Sequence, residues 1–112
     1  MVTKKEIADA LKIVKNKFDD PKLKTSFANY TKNIQFTFND LNTTYLIKIT
    51  NGELESLKEE SIDSPDIQVI IESRIMIDIL NKKINPMKAY TTGKLKAKGK
   101  LTDLLKLQEL LY

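Results

Sequence analysis

The chain has 112 residues, of which 41% are hydrophobic and 30% charged, and its net charge is +4. These values are typical of a globular protein. It contains no cysteine and no histidine, which excludes disulfides, a thiolate nucleophile and the most common acid–base catalyst and metal ligand. We therefore expect a single domain over residues 1–112, no enzymatic activity, no cofactor and no metal site. Because no signal peptide, peroxisomal address or membrane-spanning apolar run is present, a cytoplasmic location is expected.

Helical spacing of apolar residues dominates the first 27 residues. Thr3 and Glu6 have the spacing of a capping box, and apolar residues recur every three or four positions as far as Phe18. Pro21 is suited to the first turn of a second, shorter helix. Two helices are predicted in this part of the chain.

The apolar period changes to two after residue 33. Alternating runs at 34–38 and 45–49 predict two strands. Asn51-Gly52 is a strong hairpin signal, and it precedes a weaker third strand over 53–59. A fourth strand is predicted at 67–71, after a loop rich in Ser, Asp and Pro.

Helical signals return after residue 72. Ser73 is expected to cap a helix over 74–81 that has little polar surface. Asn85-Pro86 is typical of the start of a short helical turn, which Gly93 ends. A leucine-rich helix over 101–111 completes the sequence.

Residues 94–100 read KLKAKGK and alternate strictly, as in a strand. One face of this strand would carry Lys94, Lys96, Lys98 and Lys100. Such a row of lysines blunts a sheet edge against aggregation. The alternative is a transient contact with an anionic membrane. No nucleic-acid partner is expected, because aromatic residues are not interleaved with the lysines.

A composite motif covers the C-terminal part of the chain. It consists of Ile84-Asn85-Pro86, Ala89, Gly93-Lys94-Leu95-Lys96, Gly99 and Lys106-Leu107-Gln108. The combination resembles the C-terminal signature of the sterol carrier protein (SCP-2-like lipid-binding) family, and the resemblance covers residues 67–111. It implies an α/β (α+β) fold, in which about five helices cover one face of a mixed five-stranded sheet and enclose an apolar tunnel. It also implies non-catalytic binding and transfer of lipids, such as fatty acids, fatty acyl-CoA, sterols or phospholipids.

The last helix has more apolar surface than packing on a sheet requires. Its leucines spread over roughly 220° at ~100° per residue, whereas a helix on a sheet needs a stripe of only ~100°. The excess surface must face a bound lipid, a membrane or a dimer interface. The helix over 74–81 shows a similar excess. The predicted lipid contacts are Phe36, Phe38, Ile75, Met76, Ile79, Leu80, Met87, Tyr90, Ala97, Leu101, Leu104, Leu105 and Gln108.

Gln108 lies within the apolar arc of the last helix, where a buried amide must find hydrogen-bond partners. A backbone carbonyl or a water is one interpretation, and the polar end of a lipid is the other. The alternative function is a protein-interaction or dimerisation module of the same fold, with the leucine-rich helix at the interface. A lipid carrier is expected to be a monomer, whereas this alternative predicts a dimer.

Overall fold

A computed structural model describes residues 1–112 and contains one five-stranded sheet and five helices. The helices are α1 (Lys4–Lys17), α2 (Pro21–Ser26), α3 (Ser73–Leu80), α4 (Pro86–Thr91) and α5 (Leu101–Leu111). The strands are β1 (Lys32–Phe38), β2 (Thr43–Thr50), β3 (Glu53–Glu59), β4 (Ile67–Ile71) and β5 (Leu95–Lys98). The predicted α+β class with a mixed five-stranded sheet is confirmed. No helix combines the length and the apolar character needed to cross a membrane.

The strands lie in the order β3-β2-β1-β4-β5. The central pair, β1 and β4, is parallel and places Phe36 beside Val69, whereas every other pair is antiparallel. Alternation along β1 directs Ile34, Phe36 and Phe38 to one face, where all three are completely buried under the helices. The main core therefore lies between this face and the helices.

The lysine-rich strand is shorter than predicted, although it does lie at an edge of the sheet. Only Lys96 and Lys98 belong to β5, opposite Ile70 and Gln68 on the outer face of the sheet. Lys94 precedes the strand and Lys100 is the N-cap residue of α5. The prediction of one four-lysine face was wrong, because the chain must leave the sheet after Lys98 to begin α5.

The start of α3 also differs from the prediction. The N-cap residue is Glu72, and Ser73 is the first helical residue. The Asp40 carboxylate, in the turn after β1, accepts hydrogen bonds from the Ser73 amide at 2.8 Å and from its hydroxyl at 2.5 Å. Burial alone would raise the pKa of the Asp40 carboxyl, but these hydrogen bonds outweigh it and hold the pKa below its usual value. A carboxylate distant in sequence therefore performs the predicted capping role.

A buried carboxylate fixes how α5 lies against the sheet. The side chain of Asp103 is only 6% exposed and forms an ion pair with Lys32 of β1 at 3.6 Å. It also accepts a hydrogen bond from the Tyr30 hydroxyl at 2.8 Å. Burial and, second, this hydrogen bond raise the pKa of the Tyr30 hydroxyl well above its ordinary value. One turn later, the Lys106 ammonium donates to the Ser26 carbonyl and hydroxyl. These contacts join α5 to the end of α2, to Tyr30 in the following segment and to the start of β1.

Replacing Tyr30 by Phe tests this attachment of α5. Loss of the hydrogen bond is expected to lower the free energy of unfolding by about 1–2 kcal/mol at neutral pH. Because folding raises the pKa of Tyr30, its stabilising contribution is complete below the ordinary tyrosine pKa of 10.0 and is lost as the pH rises above that value. Urea unfolding should therefore show wild type and Tyr30→Phe converging in stability at alkaline pH. A difference in the free energy of unfolding between the two proteins that stays constant with pH would contradict the link between folding and the raised pKa of Tyr30.

Two glycines with positive φ can be compared by mutation: Gly52, in the turn between β2 and β3, and Gly93, between α4 and β5. Gly52 and Gly93 both have a φ of +80°, but a Cβ at Gly52 would lie 2.5 Å from the Phe27 carbonyl oxygen, whereas Gly93 has no heavy atom within 4 Å of that position. Gly93→Ala should cost about 1–2 kcal/mol for the left-handed conformation alone, and Gly52→Ala should cost clearly more. Thermal denaturation compares the two variants. Equal losses would show that the turn moves freely away from Phe27.

Candidate functional site

An apolar cavity of about 210 Å³ lies between α4, β5 and α5. Nine of its eleven lining residues are hydrophobic. The lining consists of Pro86, Met87, Tyr90, Leu95, Ala97, Leu101, Leu104, Leu105, Leu107, Gln108 and Leu111. We refer to this cavity as the apolar groove.

The groove opens to solvent through side chains that folding leaves exposed. Leu101 is 73% exposed, Leu105 53%, Tyr90 46% and Met87 44%. The chain has only two other exposed large hydrophobic residues, and these are its first and last residues. Single exposed apolar side chains are ordinary, whereas a cluster around one cavity indicates a binding surface.

The floor of the groove is built from the inner face of β5 and one side of α5. Leu95 and Ala97 point to this inner face, beside Ile71 and Val69 of β4. Leu95 is buried, and the small side chain of Ala97 leaves space above the strand. The groove therefore begins at the edge of the main core and leads outward to the exposed leucines.

Successive residues of an α-helix are ~100° apart around its axis, and on this basis the surface of α5 divides into three sectors. Leu107 and Leu110 are buried in the main core on the same side as Asp103. Leu104 and Leu105 lie on the next sector and line the groove. The third sector carries the polar contacts to α2. The excess apolar arc predicted from the sequence is therefore the sector that faces the groove.

The groove brings together seven of the thirteen predicted lipid-contacting residues. These are Met87, Tyr90, Ala97, Leu101, Leu104, Leu105 and Gln108. The other six do not line it. Phe36, Phe38, Met76, Ile79 and Leu80 are buried in the main core, and Ile75 is half-buried beside it. A lipid contact at these six positions stays a prediction.

Four lining residues were not among the predicted contacts. Leu95 shares the inner face of β5 with Ala97, so the same alternation could have identified it. Leu107 and Leu111 belong to the leucine arc of α5. Pro86 has no sequence signal for lining a cavity, because its position at the first turn of α4 already accounts for it.

Gln108 and Tyr90 supply the polar side-chain groups of the lining. Gln108 is half-buried and lies one turn after Leu104 and Leu105 on α5. Its amide can both donate and accept a hydrogen bond. No charged side chain lines the groove, so its chemistry suits hydrocarbon with at most a polar end.

The fold has close counterparts among solved structures. Sterol carrier protein 2 has a TM-score of 0.72 and 14% identity, over 93% of this chain and 91% of that one. Palmitated SCP2L2 from Aedes aegypti has a TM-score of 0.70 and 17% identity, over 92% of this chain and 91% of that one. At such identities the likeness shows the fold alone.

A larger enzyme contains the same fold. A double mutant of the sec-alkyl sulfatase PisA1 has a TM-score of 0.71 and 20% identity over 97% of this chain. The wild-type enzyme comes from Pseudomonas sp.. The chain spans only 16% of the length of the sulfatase that it matches.

Sequence comparison gives the family directly. A search of curated proteins found no match. The sequence profile of the SCP-2 sterol transfer family matches residues 11–112, which is nearly the whole chain. The chain therefore belongs to the SCP-2 sterol transfer family.

Proposed function

We propose that the apolar groove binds the hydrocarbon part of a lipid, and that the protein carries this lipid without changing it chemically. The observation that carries the proposal is the cluster of four exposed apolar side chains around a lining that is almost entirely apolar. Covering these side chains with hydrocarbon removes apolar area from water, which is favourable at about 25 cal/mol per Å². Membership of a sterol transfer family supports the same function.

The size of the groove favours a flexible chain over a rigid ring system. Pockets for drug-sized ligands usually have volumes of about 300–1,000 Å³, whereas the groove has about 210 Å³. An acyl chain can place part of its length in a small groove, but a fused sterol skeleton cannot be divided in this way. Fatty acids, fatty acyl-CoA and phospholipids are therefore the preferred ligand classes, and sterol-like molecules come after them. One related structure is of a palmitated protein.

The magnitude of the binding energy predicts that the groove widens around its ligand. Filling about 210 Å³ of apolar cavity gains at most ~5 kcal/mol at ~24 cal/mol per Å³. Micromolar affinity requires about 8 kcal/mol, and association has its own entropic cost. Tight binding therefore needs more apolar contact between the protein and the lipid. This contact becomes available when α4 and α5 first move apart to admit the acyl chain and then pack against it.

The lining contains no carboxylate, lysine, histidine or cysteine side chain. Acid–base or nucleophilic chemistry needs a carboxylate, an activated lysine or a comparable group at the site. The groove presents only the Gln108 amide and the Tyr90 hydroxyl. We assign Gln108 to the polar end of the lipid, where its amide can hydrogen-bond a carboxylate, ester or thioester oxygen.

An interaction module is the second candidate function, and the exposure of Leu101 and Leu105 is the observation that favours it. A second copy of the chain could cover these side chains as well as a lipid does. The two functions differ in the state of the protein in solution. A carrier is a monomer that binds lipid, whereas an interaction module is a dimer whose groove is closed by its partner.

Ala97→Leu tests the lipid-binding function by filling the floor of the groove. Affinity for palmitate should fall about fifteenfold if the larger side chain displaces about two methylene groups, at ~0.8 kcal/mol each. Calorimetric titration of the delipidated protein measures this change. Ala28→Leu is the matched control, because Ala28 is exposed and lies outside the groove. It should bind palmitate as wild type does.

Two results would contradict the proposal. Undiminished palmitate binding by Ala97→Leu would show that the acyl chain binds elsewhere in the protein. Absence of saturable binding to wild type, together with a stable dimer by light scattering, would favour the interaction module. Thermal denaturation of both variants shows whether the extra volume strains the fold, which typically costs ~1–3 kcal/mol.

A further inference from the structure

Three leucines close the groove on its inner side. Leu95, Leu107 and Leu111 line the groove and also belong to the buried cluster that forms the main core. No other lining residue belongs to this cluster, although Ala97 and Leu104 are partly buried against it. We refer to the three leucines as the leucine wall. The leucine wall is the boundary between the groove and the main core.

The leucine wall is built from two elements that the fold brings together. Leu95 is a buried residue of β5 and lies beside Ile71 of β4. Leu107 and Leu111 are one turn apart on α5, so their side chains lie on the same side of the helix. Both are buried. A ligand in the groove therefore meets side chains that are packed into the main core on their other side.

The side chains of the leucine wall, and not the backbone, set its position. Leucine at positions 107 and 111 is not needed for the helix itself, because alanine has a higher helix propensity. A shorter side chain at either position would open a space toward the main core, which contains Phe36, Met76 and Ile79. An apolar space of this kind stays dry. Hydrocarbon can therefore fill it, whereas water does not.

The leucine wall also separates the groove from several residues that the sequence predicts as lipid contacts. Phe36, Ile79 and Leu80 are among the five such residues that are buried in the main core and do not line the groove. An acyl chain in the groove reaches them only if the leucine wall moves or is shortened. The groove is therefore closed toward the interior of the protein and open toward solvent.

We propose that the leucine wall limits the length of the acyl chain that the groove accepts. This inference rests on the proposed function of the groove. Carbons that fit between the leucine wall and the opening of the groove are removed from water, and each of them adds to the affinity. Carbons in excess of this number stay among the exposed side chains at the opening and add little. The three leucines are thereby the specificity-determining residues for the hydrocarbon part of the ligand.

Calorimetric titration with saturated fatty acids from octanoate to stearate, including the odd-numbered chains, tests the inference. The affinity of delipidated wild type should rise about fourfold with each added carbon that is fully buried. Above a limiting chain length this rise should stop. Leu111→Ala removes most of one side chain of the leucine wall and should move the limit to chains about three carbons longer.

Leu110→Ala is the matched control. Leu110 directly precedes Leu111 on α5 and is equally buried in the main core, but it does not line the groove. Both variants should lose similar thermal stability, because each leaves a cavity in the core. Only Leu111→Ala should change the limiting chain length. If Leu111→Ala does not fold, Leu111→Val, which removes less of the side chain, should move the limit by about one carbon.

The inference and the proposed function fail in different ways. An affinity of wild type that rises with every carbon as far as stearate would overturn the inference, and so would the same limit in wild type and Leu111→Ala. Equal shifts in Leu111→Ala and Leu110→Ala would also overturn it, because loss of core packing alone would then explain the change. In all three cases wild type still binds fatty acids, and the lipid-binding function stands. Absence of saturable binding of every fatty acid to wild type overturns the proposed function, and the inference falls with it.

Discussion

The buried carboxylate of Asp103 determines which side of α5 faces the solvent. It is held by the Tyr30 hydroxyl at 2.8 Å and paired with Lys32 at 3.6 Å. A buried charge is costly unless it keeps such partners, so rotation of the helix away from this orientation is unfavourable. The opposite leucines are left without a covering element as a consequence. The groove therefore follows from a polar attachment on the other side of the same helix.

The second condition for the groove is the small side chain at the centre of β5. A bulky residue at Ala97 would close the space between the edge strand and α5. Because β5 contains only four residues and α5 begins three residues after it ends, the strand and the helix lie close together along one edge of the sheet. The inner face of β5 and the exposed leucines of α5 are thereby brought together in one short segment, on which the lipid-binding proposal depends.

The element order of the fold could be predicted from local patterns. The capping box at Thr3, the Asn51-Gly52 turn and the alternation in β1 each depend on neighbours a few residues apart, and the structure contains all three. The alternation of lysines extended beyond the true end of β5, because lysine is tolerated equally on an exposed strand, in a turn and at an N-cap. Ser73 was misassigned because its capping partner, Asp40, lies 33 residues away. The Tyr30–Asp103 contact spans 73 residues and has no local signature.

Part of the candidate site could also be predicted, because some of its residues belong to local sequence patterns. The leucine arc identified the groove residues on α5, and the alternation of residues 94–100, which sets Ala97 on the face opposite the lysines, identified Ala97. Periodicity could not show that Phe36 and Met76 fill the core while Leu101 and Leu105 remain exposed, because all four are apolar residues on apolar faces. Which apolar face is covered depends on the tertiary arrangement of the helices.

The proposed function requires that a lipid chain occupies the groove between α4, β5 and α5. Isotope-filtered NMR between unlabelled palmitate and methyl-labelled protein tests it directly, because intermolecular NOEs report contacts between ligand and side-chain protons. NOEs are expected to the methyl groups of Ala97, Leu101 and Leu105, and none to Ile7 or Val14 in the main core. NOEs confined to Ile79 and Leu80 would contradict it by placing the chain between α3 and the sheet.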